Sequence, residues 1–291
     1  MGNRPILVLS VATGLFVLQA ILGLMRLHRT GRAGAVERWG PLSAALLLHA
    51  LFLIERGLEV RGLPIQTRLD SVALFLWVTA LVFLAASRPY RLEKVAPLFW
   101  TLFAMGALTM WAFASREPAP RASLARFWLL LHLAPVYIGY AGFAVGAGVG
   151  AAYLLQERLL RRTATGGALW RKLPSLETLE RVGRAALSLG FPMMSIGLVA
   201  GVFWAEQSAA PLGRAWYADP KVIGGVVVWL FYAGVLHVRL YVRLRGRRAA
   251  WLTIAGFLLT LVSFATVHVY TPTMDASHDA PPPPIDAQGK P

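Results

Sequence analysis

Six imidazoles and no thiol bound the chemistry open to this 291-residue chain. Without cysteine there is no disulfide framework, no thiolate metal site, no CxxC redox pair and no CxxCH motif. No GxxxxGK[ST] phosphate loop is present, and no nucleophile stands beside a base in a recognisable pairing. What remains is histidine, which ligates metals through a neutral ring nitrogen, passes protons, or sits hydrogen-bonded in a core.

Three histidines fall near the same end of long apolar runs: His49, His132 and His268. At 1.5 Å per residue, His132 lies roughly 8 Å below the start of its run and His268 about 28 Å above the start of its own. The two are therefore expected at similar depth. Between them comes a segment with Trp204, Glu206, Trp216, Tyr217, Asp219 and Lys221. Tryptophans at a membrane edge commonly form an aromatic belt, and a lone membrane histidine is as readily structural as functional. Together, though, two imidazoles and flat aromatic surfaces are what haem requires: axial ligands for iron and a face for the macrocycle. Arg214, Lys221, Arg121 and Arg126 are available to its propionates. His132 and His268 are the expected iron ligands, with His49 and His278 as alternatives to His268. His237 lies about 15 residues into the seventh run and is expected nearer the opposite face.

The elements that hold these residues are apolar helices. The chain is 57% hydrophobic and 15% charged, with a mean hydropathy of +0.57, which suits the bilayer better than water. Roughly 20 apolar residues cross a hydrocarbon core of about 30 Å. Eight runs qualify: 5–25, 39–54, 69–86, 95–114, 127–155, 183–204, 222–242 and 249–270. This predicts an all-α polytopic bundle with little room for a separate soluble domain. Positive charge follows the first run rather than preceding it, so that run reads as a retained span and not a cleaved leader. The first, third, fifth and seventh connections hold 18 Lys and Arg, against 10 on the other side, termini included. Cytoplasmic connections carry the excess, which places both termini and residues 205–221 outside.

The net charge of +15 is spread over short loops rather than one face, which argues against nucleic acid. Ser175 followed by Leu176, Leu179 and Val182 predicts a capped, short interfacial helix. Gly142, Gly146 and Gly150 at four-residue spacing predict close helix packing. Acidic residues followed by Pro281–Pro284 predict a disordered tail over 271–291.

A resemblance adds to this reading. From His132 to Tyr270 the chain carries, in order, Tyr140-Ala141-Gly142-Phe143, Tyr153-Leu154-Leu155-Gln156-Glu157-Arg158, Leu173-Pro174-Ser175-Leu176-Glu177, Gly190-Phe191-Pro192, Gly197-Leu198-Val199-Ala200-Gly201, Trp204-Ala205, Asp219-Pro220-Lys221, Trp229-Leu230-Phe231-Tyr232-Ala233, Leu236-His237-Val238-Arg239 and Gly256-Phe257. In order and spacing this resembles the CcsA/CcmC/HemX-type cytochrome c assembly family. The resemblance implies haem presented at a tryptophan-rich outer loop, with His132 as the flanking ligand and His237 in a position associated with a second, membrane-embedded haem. Of the family's three loop tryptophans only Trp216 stands in Leu212–Lys221, and the late His-Ser-Tyr motif is absent. A factor that holds or passes haem is thus implied rather than an enzyme completing attachment alone. Apocytochrome c and other assembly proteins are the implied partners, and a bacterial inner membrane the implied site. A HemX-like regulator of haem biosynthesis is the alternative, and a transporter of another substrate a further one. The expected division is 1–126 as an N-terminal four-helix portion and 127–270 as the assembly-like portion.

Overall fold

Residues 3–28, 35–65, 67–87, 89–90, 92–113, 126–162, 174–207, 216–218 and 220–269 are described by a computed structural model. Over these residues the apolar runs form eight α-helices: α1 Asn3–His28, α2 Ala35–Glu59, α3 Arg68–Ser87, α4 Ala96–Phe113, α5 Arg126–Arg162, α6 Leu176–Gln207, α7 Pro220–Leu240 and α8 Arg247–Val269. No lipid-exposed backbone can go unbonded in hydrocarbon, so each run closes its own hydrogen bonds as a helix. Six of the eight, α1, α2, α3, α5, α6 and α7, are long and apolar enough to cross a membrane. Helix α4 is apolar over Ala96–Leu108, and the 23 residues of α8 rise about 34 Å. The protein is a polytopic helical membrane bundle.

Sequence neighbours pack antiparallel. Phe16 on α1 meets His49 on α2 and Trp100 and Phe103 on α4. Phe83 on α3 stacks on Phe99 of α4 with ring centroids 3.7 Å apart. These contacts build one buried cluster from α1 to α4, to which α5 adds Val145, Val149 and Ala152, and α6 adds Leu179 and Val182. A second cluster joins α5, α6 and α7 around Phe143, Leu187, Met194 and Tyr232. Phe143 and Tyr232 stack at 3.5 Å. Helix α5 belongs to both clusters, and Phe75 of α3 contacts its Tyr137 and Tyr140.

The glycine stripe of α5 works as a packing surface against two partners. Gly142 lies against Ala186 and Gly190 of α6, while Gly146 and Gly150 lie against Thr253 and Ala250 of α8. Ser175 caps α6, accepting the Thr178 N–H at 3.3 Å. The short interfacial helix expected after it is not a separate element. It runs without a break into the membrane helix as the 32-residue α6, because no proline stands between Val182 and Ala185, and burial of Leu179 and Val182 in the core outweighs the low helix propensity of Gly183. The proline-rich tail lies outside the described residues.

Candidate functional site

His132 occupies the second turn of α5 and points at α6. Its Nδ1 lies 2.7 Å from the backbone oxygen of Gly197. A carbonyl can only accept, so Nδ1 carries the proton and Nε2 keeps its lone pair. The ring fits because α6 has no side chain beneath it: a Cβ on Gly201 would sit 2.6 Å from His132 Nδ1 and 2.9 Å from Cε1. Trp204, one turn further out, lies nearly parallel to the imidazole, with an 8° interplanar angle and 6.3 Å between centroids. Its indole nitrogen is buried without a hydrogen-bond partner. Trp128 and Phe203 stack at 5.1 Å, flanking the pair on the same two helices. Proline interrupts the ladder of each, at Pro135 in α5 and Pro192 in α6, and Ser195 accepts the Trp229 N–H at 2.8 Å to tie α6 to α7.

An imidazole that donates one N–H to a backbone carbonyl and leaves the other nitrogen bare is oriented as metal-bound histidines are. Among the described residues His132 is not joined by other His, Asp or Glu side chains in a group fit for a bare metal ion. One imidazole nitrogen without a protein partner beside aromatic surface is a donor set that fits haem iron.

The packing of α5 on α8 fixes the level of His268. Gly146 meets Thr253 and Gly150 meets Ala250, an antiparallel register. From that contact, 14 residues up α5 lead to His132 and 15 residues up α8 lead to His268, rises of about 21 and about 22 Å. The last turn of α8 therefore brings the His268 backbone to the height of His132. Trp216 and Tyr217 form a single 3₁₀ turn, Trp216–Ala218, just before α7, and Tyr217 is exposed. Lys221 is in the first turn of α7. Arg214, Asp219, Arg121 and His278 lie outside the described residues.

His237 belongs to the other end of the bundle. It stands in the last turn of α7 and stacks on Tyr241 at 4.8 Å. The contacts of Gly256 with Tyr232 and of Gly224 with Ser263 set the α7–α8 register. By that register His237 lies near Ala250, roughly 27 Å below His132. His49 is enclosed in the N-terminal cluster between Phe16 and Phe52 and is 2% exposed. Its ring approaches the backbone of Ala73 without closing a hydrogen bond.

Two charged clusters had no signal as pairs in the sequence. At one end of the bundle Arg56 holds Asp70 through Nε and Nη2, both at 2.9 Å, and also pairs with Glu59. Asp70 accepts the Thr67 N–H and donates its own to Thr67 Oγ1. At the other end Arg239 meets Glu180 at 3.2 Å. Each residue was legible only as a charge flanking a span, since the pairing joins segments 14 and 59 residues apart.

The profile of the family described as "Cytochrome C assembly protein" matches residues 39–274. Relatives named cytochrome c biogenesis protein CcsA are similar along most of their length. The protein of Synechococcus sp. (strain CC9605) is 27% identical, over 92% of this chain and 96% of its own. That of Gloeobacter violaceus is 25% identical over 92% of each. That of Microcystis aeruginosa is 28% identical over 78% of this chain and 83% of its own.

Proposed function

The chain belongs to the cytochrome c assembly protein family, and on that footing we propose that it is a multi-pass factor of cytochrome c biogenesis in a bacterial cell membrane, holding haem at the outer face with His132 as an axial ligand. The observation that carries the ligand assignment is the Gly197 carbonyl at 2.7 Å, which fixes the tautomer and leaves Nε2 for iron. His268, at the same height on α8, is the opposite ligand. Trp204 lines the imidazole, while Trp216 and Tyr217 cover an edge of the macrocycle. Arg214 and Lys221 take the propionates by charge-assisted hydrogen bonds, with Asp219 between them in the same outer loop. Haem bound in this way supplies the iron centre and the group to be delivered; the chain's own residues orient it and shield it from lipid.

His237 does not serve this iron, being some 27 Å away. Any haem it ligates is a second one. Relatives named for cytochrome c biogenesis span most of this chain, which favours an assembly role over the HemX-like regulatory alternative. Apocytochrome c and other assembly proteins are the partners this role requires.

Haem content and Soret spectra of purified His132→Ala, His268→Ala and His237→Ala test the assignment, each with and without added imidazole. The first two are expected to lose haem or shift the Soret band, with imidazole restoring part of the signal, while His237→Ala keeps the outer-site spectrum. Unchanged haem in His132→Ala would overturn the ligand assignment.

A further inference from the structure

The inner ends of α5, α6, α7 and α8 enclose a small cavity beside an incompletely satisfied cation. Arg239 closes α7 with its side chain 4% exposed. Nη2 donates to Glu180 Oε1 at 3.2 Å, but Nε and Nη1 are buried with no acceptor. Arg184, one turn along α6 from Glu180, adds a second positive charge nearby. A charged N–H shut away from water without an acceptor is strongly unfavourable. Something beyond the protein's own atoms is needed there.

The cavity measures about 10 Å³ and is lined by Arg239, Glu180, Tyr153, Thr253 and glycines including Gly146 and Gly183. That volume is about the least that admits one water molecule. The lining also has acceptors in hand. Each Glu180 oxygen takes one hydrogen bond, from Arg239 and from the Gly246 N–H at 3.1 Å, and keeps a further lone pair. The Thr253 hydroxyl donates to Ala249 at 2.9 Å and remains open as an acceptor. The Tyr153 hydroxyl stands near Gly246, at 3.3 Å from where its Cβ would be. A water in this space has the two to four polar partners that a buried water takes.

We propose that this cavity is a binding site for one structural water, which accepts from Arg239 Nη1 and donates its two protons to Glu180 and one neighbouring hydroxyl. The hydrated pair fastens α6 to the α7–α8 turn. In that turn Arg243 and Gly246 adopt left-handed conformations at φ 56° and 75°, and Glu180 grips it through the Gly246 N–H. The water is thus part of what closes the bundle at its inner face, independent of any ligand at the outer end.

Gly183→Ala is the test. Its new methyl would lie 3.7 Å from Arg239 Nη1 and 3.9 Å from Nη2, ordinary contact without a clash, yet inside the space the water needs. Helix propensity alone favours alanine over glycine, so a dry cavity would leave the thermal midpoint raised. The proposal expects it lowered instead, by about 2–4 °C. In a background carrying Arg239→Met and Glu180→Gln, where no buried charge needs solvation, the same change is expected to raise the midpoint. A rise in both backgrounds would show a dry cavity and overturn the proposal. A fall in both would show that the methyl disturbs packing regardless of charge, with the same consequence. If the double background does not fold, a density map resolving ordered waters decides: a peak within hydrogen-bond reach of Arg239 supports the site, and an empty cavity removes it.

Discussion

A single methyl separates two outcomes at His132. The imidazole lies over Gly201 so closely that an added Cβ would stand 2.6 Å from its Nδ1, well inside van der Waals contact. Gly201→Ala should therefore leave α6 helical, since alanine is the better helix former, while driving the imidazole off the Gly197 carbonyl and out of ligating position. The expected result is a chain with unchanged helicity by circular dichroism and a haem content well below wild type. Wild-type haem in that variant would mean the notch does not position the ligand. The histidine itself was legible in the sequence as a candidate, because an imidazole in an apolar run must be paired or face a wet cavity, although a structural role was equally open to it. Its acceptor was not. A carbonyl has no residue type to betray it, and Gly197 is 65 residues away. The stretch Gly197–Gly201 was visible only as part of a family pattern, without the imidazole it accommodates. His49 shows the converse: it shares the residue type and much of the depth expected of a ligand, yet Phe16 and Phe52 enclose it in a different cluster.

Individual helices were legible for a simple reason: each apolar run must satisfy its own backbone in hydrocarbon, so composition alone dictates its form. How helices grip each other was less so. The three-glycine stripe on α5 pointed to close packing but not to its division between α6 and α8, since periodicity names a face and not its neighbour. Charges at helix ends were legible as topology signals and concealed their pairing. Arg56 and Asp70 are buried, and both carboxylate oxygens of Asp70 take a guanidinium N–H at 2.9 Å. Breaking a buried pair outright costs about 3–5 kcal/mol; here Glu59 remains beside Arg56 when the Asp70 charge is removed, so the cost is expected to fall below that range. Asp70→Asn should accordingly lower stability clearly, by thermal or denaturant unfolding in detergent, with part of the loss relieved by adding Arg56→Met. If the double variant were no more stable than Asp70→Asn, the stranded guanidinium would not be the source of the loss. The reciprocal hydrogen bonds between Thr67 and Asp70 add a capping role that asparagine retains in part.

At the scale of the molecule, six of the eight helices are long and apolar enough to cross a membrane; if all eight cross, the chain returns to the side on which it began, and the bias in Lys and Arg predicts that side to be the outer one. Reporter fusions should be active only inside after Arg162 and only outside after Arg214; the reverse pattern would invert the bundle and bring His132 to the cytoplasmic face. The two ends of the molecule differ in kind. Both ends hold a buried ion pair, Arg239 with Glu180 at one and Arg56 with Asp70 at the other, but only the end holding His132 gathers Trp204, Trp128 and Phe203 around a nitrogen left bare for a ligand. Antiparallel packing of α5 on α8 carries the His268 backbone to the same level, where the proposed iron sits between two imidazoles. The most direct test is the electron paramagnetic resonance spectrum of the intact, oxidised protein, with haem counted per chain. One haem per chain with a low-spin ferric signal typical of two imidazole ligands is the expected result. A high-spin signal would contradict the pair of histidines, and protein that carries no haem when isolated from haem-replete membranes would contradict the outer site itself.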